Sequence, residues 1–87
     1  MKDYVKRMIE EHKELLVRIK KLDAYIYGPA IKQDSTDEVI NKAVQLRGMR
    51  MYYDALSARL FNVGIRFSDN EYAEVISTTN EDSEDEQ

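Results

Sequence analysis

Apolar positions return at steps of three and four along the first part of the chain: Val5, Met8, His12, Leu15, Ile19, Leu22 and Ile26. Seven-residue spacing of this kind predicts one long helix, over residues 4–27, whose apolar seam needs a partner helix along roughly 33 Å at 1.5 Å per residue. Asp3 is the expected cap, and Gly28-Pro29 the expected stop, glycine taking a left-handed conformation there. A short loop over 28–34 follows. Ser35 with Glu38 three residues later is a capping box that opens a second helix. Val39, Ala43, Leu46, Met49, Tyr53, Leu56, Leu60, Val63 and Phe67 keep the same spacing, so this helix is expected from about 36 to 67, with Gly48 and Gly64 inside it. Two long helices joined by a short loop imply an antiparallel hairpin.

A second apolar stripe, Ile9, Leu16 and Val17 on the first helix and Ile40, Val44, Met51 and Ala55 on the second, has no place inside a two-helix hairpin. Burial between copies of the chain covers it, at about 1.5–3 kcal/mol per large side chain. After Phe67 the pattern breaks at Ser68-Asp69-Asn70. Residues 71–76 read as one more helical turn, or as a short arm docking through Tyr72, Val75 and Ile76. Ser77 to Gln87 is too polar to bury anything and reads as a disordered tail. The expected class is therefore all-α: a helical domain over 1–76, an acidic tail over 77–87, and assembly into a compact homo-oligomer.

Composition narrows this further. At 87 residues with no cysteine, neither disulfides nor thiolate metal sites can support a small core, which leaves oligomerisation. There is no apolar run of membrane-spanning length and no signal-peptide core, so a soluble intracellular protein is expected. The net charge of -4 hides an asymmetry: residues 1–67 carry all 13 Lys and Arg against 9 acids, whereas 68–87 carry 8 acids and no base. A basic body suits phosphate-bearing ligands. The acidic tail argues against a DNA or RNA polymer as partner.

Candidate chemistry points to binding rather than catalysis. One histidine, no Gly-rich phosphate loop and no Glu-x-x-His leave no catalytic constellation and no metal site. Glu10, Glu11 and Glu14 read as a solvated helix face, and His12 on the seam as a packed, hydrogen-bonded residue that sets helix register. Tyr4, Arg7, Arg18, Lys20, Lys21 and Tyr25, with Arg47, Arg50, Tyr52, Tyr53 and Arg59, combine rings that stack on nucleobases with cations that meet phosphate. Solvated arginines and a core Tyr53 would give the same pattern. Tyr4 and Arg18 share a helix face but stand about 21 Å apart along it. A ligand as small as a cyclic dinucleotide touches both only if a neighbouring antiparallel chain supplies one of them.

The run Tyr4-x-x-Arg7-x-x-x-Glu11-x-x-x-Leu15-x-x-Arg18-Ile19-x-Lys21-Leu22-x-x-x-Ile26, followed by Met49-x-x-Tyr52-x-x-x-Leu56-x-x-Arg59-Leu60, resembles a family of small helical phage proteins that includes the anti-CBASS sponges. The resemblance covers roughly residues 4–60. It implies a homohexamer without a cofactor, in the cytoplasm of an infected bacterial host. Such a protein sequesters cyclic dinucleotides such as cyclic GMP–AMP between protomers, holds cyclic trinucleotides in a separate site and cleaves neither, so the CBASS effector stays silent. On this resemblance Tyr4 matches the aromatic that stacks on a base, and Arg18, with Lys20 and Lys21 as alternatives, matches the phosphate-contacting residue. Arg59 matches an arginine of the trinucleotide site, and Arg7 joins the ligand-binding set. The contrasting expectation is a helical adaptor or inhibitor that engages another protein through the second apolar stripe.

Overall fold

The computed structural model describes residues 2–70 and 73–78. Helix α1 spans Asp3–Ile26, a 3-10 helix spans Pro29–Gln33 and helix α2 spans Thr36–Asn62. Two short strands follow, β1 over Ile65–Phe67 and β2 over Val75–Thr78, paired antiparallel. The molecule is thus mostly helical rather than all-α.

The α1 seam meets the α2 seam as the spacing predicts. Val5, Met8, Leu15 and Ile19 are buried against Leu46, Leu56 and Leu60, with Ile65 of β1 closing one end. Removing these apolar side chains from water is the main driving force for the hairpin. The capping box forms: Glu38 N–H donates to Ser35 Oγ at 3.2 Å, and Ser35 N–H donates to Glu38 Oε1 at 2.9 Å. At α1 the cap position belongs to Lys2, without a side-chain bond, and Asp3 lies in the first turn. Gly28 is extended rather than left-handed (φ -99°, ψ 179°). It is needed for space instead, since a Cβ there would stand 2.8 Å from the Ala24 carbonyl oxygen.

The largest departure from the sequence reading is the end of α2. The helix stops at Asn62 instead of running to 67, because Gly64 takes φ 92°, a conformation that ends helices. Phe67, which keeps helical spacing in the sequence, reaches the core from β1. The segment read as a further helical turn or arm instead contributes Val75 and Ile76 to β2, and the strand continues through Ser77 and Thr78, positions that composition assigned to the tail. Ser68 fastens the connection, its N–H donating to the Glu74 carbonyl at 2.7 Å and its Oγ accepting from Glu74 N–H at 2.9 Å. Tyr72 and residues 79–87 lie outside the described residues.

His12 is the polar member of the core, 2% exposed. Its ring is stacked between Tyr53 (centroids 4.2 Å apart) and Phe67 (4.3 Å), and Nε2 is hydrogen-bonded to Ser57 Oγ at 2.7 Å. Burial without a charged partner pushes its pKa down. One residue therefore joins α1, α2 and β1.

Candidate functional site: a basic and aromatic groove between the helices

Position fixes the sides of α1. Tyr4, Glu11, Arg18 and Tyr25 recur every seven residues, and Arg7, Glu14 and Lys21 run beside them, so these side chains flank one edge of the seam. On α2 the matching edge is Lys42, Gln45, Met49 and Tyr52. Between the two edges lies a groove of about 530 Å³, floored by Leu15 and Leu22 and walled by Arg18, Lys21 and Tyr25 from α1. Three cations and two phenol rings thus face one open concavity. That is the side-chain set required by a ligand with phosphates and flat bases.

Hydrogen bonds hold the rings in place. Tyr25 Oη donates to Asp34 Oδ1 at 2.9 Å, and Lys42 Nζ donates to Asp34 Oδ2 at 2.7 Å while standing 5.1 Å from the Tyr25 ring centre. Lys42 holds the Asp34 carboxyl below its usual range, and Asp34 in turn raises both Tyr25 and Lys42. An ammonium has three donors, so this bond leaves Lys42 able to serve a ligand anion. At the other end of the groove Tyr52 Oη donates to Glu11, whose carboxylate raises the Tyr52 pKa against the opposing pull of Arg59 and Arg18. Arg50 pairs with Asp23 across the helices at 3.0 Å.

Of the residues that the sequence singled out, the groove brings together Arg18, Lys21, Tyr25 and Tyr52. Lys20 faces a different concavity, of about 410 Å³, between α1 and β2, with Ile9, Lys13 and Val75. Tyr4 is 46% exposed near the start of α1, and the rise of the helix sets it and Arg7 well away from Arg18. Arg59 lies two turns beyond Tyr52. The sequence does not mark Lys42, Gln45 or Met49 as site residues: Lys42 and Gln45 stand beside the α2 seam, and Met49 belongs to the seam itself.

A family model named Sequestin matches residues 2–62. The chain belongs to the sequestin family. The match spans α1, the 3-10 helix and α2, which supply every residue of the groove, and it stops before the strand pair. No curated protein and no solved structure matches this sequestin. Among the described residues no helix is long and apolar enough to cross a membrane, and no group of three His, Asp or Glu is placed to hold a metal ion.

Proposed function

We propose that this sequestin is a sponge for cyclic oligonucleotide messengers, a cyclic dinucleotide such as cyclic GMP–AMP first, and that it blocks CBASS signalling by holding the messenger uncleaved. The observation that carries the reading is the groove itself, where Arg18, Lys21 and Lys42 share one concavity with Tyr25 and Tyr52. The family's name and the resemblance to anti-CBASS proteins point the same way. In this reading the cations take the phosphates through charge-assisted hydrogen bonds, and the rings stack on the bases. Tyr4 and Arg7 join from a neighbouring chain, because the distance along α1 keeps them from a ligand seated at Arg18 of their own chain. The homo-oligomer is part of the proposal, as is its location in the host cytoplasm. A sponge acts by stoichiometry, and depletion of micromolar messenger calls for nanomolar binding, about 12 kcal/mol.

The test is to saturate the protein with cyclic GMP–AMP, record the melting temperature, denature the protein and identify the released nucleotide. A raised melting temperature with intact cyclic nucleotide recovered supports the sponge, since a ligand that binds only the folded state stabilises it by mass action. Linearised nucleotide would show an enzyme, and unchanged melting with every member of a cyclic di- and trinucleotide panel would remove the messenger role.

A further inference from the structure

The side of α2 turned away from α1 holds a pattern that the groove does not use. Ile40, Val44 and Met51 stand 54%, 56% and 67% exposed on it, with Ala55 continuing the row. Their steps run through Gly48 as 4, 4, 3 and 4, the spacing of a coiled-coil seam, yet the core seam of the same helix lies on its opposite side. A helix that is apolar on two opposite sides needs cover on both. At the middle of the exposed row, a Cβ built on Gly48 would meet nothing within 4 Å. Packing inside the protomer therefore does not account for this glycine, which costs about 1 kcal/mol against Ala in a helix interior.

Charge completes the pattern. Asp37 lies eleven residues before Gly48 and Arg59 eleven after it, and eleven residues are close to three full turns. All three residues therefore share one side of α2, with the acid and the base at equal distances, about 16 Å, from the glycine. Among the described residues neither Asp37 nor Arg59 has an ion-pair partner within the protomer.

We infer that a second copy of this chain docks here, with the two α2 helices antiparallel and a two-fold axis at Gly48. That axis sets Val44 of each copy against Met51 of the other, Ile40 against Ala55, and Asp37 against Arg59 at both ends. Contacts of this self-complementary kind characterise two-fold interfaces. Coiled-coil spacing goes with a shallow crossing of about 20°, at which side chains three turns from the crossing remain within reach of each other. Arg59 is thereby assigned to pairing rather than to a second class of ligand. The inference deepens the assembly part of the sponge reading. The groove opens toward α1, on the Lys42 and Gln45 side of α2, and Arg59, two turns beyond Tyr52, is the interface residue nearest to it, so Asp37→Arg is the variant that tests the interface apart from the groove.

The test is solution mass by light scattering for the parent and for three charge variants, with circular dichroism as a folding check. Asp37→Arg alone and Arg59→Asp alone each set like charges opposite one another and weaken self-association roughly tenfold or more. The double exchange Asp37→Arg with Arg59→Asp restores the parent mass. Under oxidation Gly48→Cys closes a disulfide between two copies, since the crossing brings the Cα atoms within the roughly 4.4–6.8 Å that the bond requires. A monomeric parent, single reversals that leave its mass unchanged, or failure of the Gly48→Cys chain to cross-link would overturn the inference. Cyclic nucleotide binding that persists in such a monomer would leave the groove standing without the interface.

Discussion

His12 shows how much one side chain decides. Its ring is stacked from both sides and bonded to Ser57, and its pKa in the fold lies below the ordinary 6.5 because burial disfavours the cation. The unfolded chain therefore binds more protons than the folded one as pH falls below about 6.5. Stability is full above that value, declines as pH drops toward the lowered pKa, and then levels off. Urea midpoints measured between pH 7.5 and 5 should show the decline, and a His12→Phe variant, which cannot titrate, should not. Asp34 acts in a separate window: Lys42 lowers its pKa, so its contribution is present above the ordinary carboxylate value and is lost only at more acid pH. Tyr52 supplies a prediction for binding. Stacking on a base is worth about 1–3 kcal/mol by truncation, so Tyr52→Ala should weaken cyclic dinucleotide binding by that amount in calorimetry. Tyr52→Phe keeps the ring, loses only the hydroxyl that donates to Glu11, and should bind nearly as the parent does. At this scale the packed His12 was legible because it falls on an apolar seam. The roles of Lys42 and Gln45 were not, because a polar side chain beside a seam looks the same in sequence whether it walls a groove or meets only water.

At the scale of elements, both helices were legible because their apolar spacing runs for many turns and Ser35 with Glu38 marks where the second begins. Ser35→Ala should lower unfolding free energy by about 1 kcal/mol, read from urea denaturation, since it frees the Glu38 N–H that Ser35 Oγ now satisfies. The strand pair was not legible. Three and four residues show too little alternation to declare a strand, and Val63 and Phe67 happen to continue the helical spacing across Gly64. What ends α2 is a backbone conformation. Gly64→Ala forces a Cβ onto φ 92° and should destabilise the fold by about 1 kcal/mol or more. The strand pair has a structural task as well, since it delivers Phe67 to the second face of His12. Phe67 is only partly buried, so Phe67→Ala should cost less than the roughly 3–5 kcal/mol of a fully buried phenylalanine, read from urea denaturation.

At the scale of the molecule, one protomer measures 55 × 21 × 15 Å, a rod two helices wide. Such a body has one interior interface and leaves the outer side of α2 uncovered, so the α2 half of the apolar excess that the sequence announces, Ile40, Val44, Met51 and Ala55, stays exposed once the chain has folded. On α1, by contrast, Ile9 packs against the core and lines a concavity beside the strand pair with Leu16 and Val17. The groove opens between the helices and the exposed row faces away from α1, so the proposed ligand and the proposed second copy would not compete for the same surface. The sequence disclosed that cations and rings were present. Only the register of α1 against α2 separated Arg18 and Lys21, which enter the groove, from Lys20, which faces β2. That separation gives the most direct measurement: calorimetric titration of cyclic dinucleotide into the parent, Arg18→Ala, Lys21→Ala and Lys20→Ala. The groove account predicts tight binding by the parent, losses of about 1.5–3 kcal/mol for each of the first two variants as a charge-assisted bond disappears, and near-parent affinity for the third. Binding that survives both Arg18→Ala and Lys21→Ala, or that fails in Lys20→Ala instead, would contradict it.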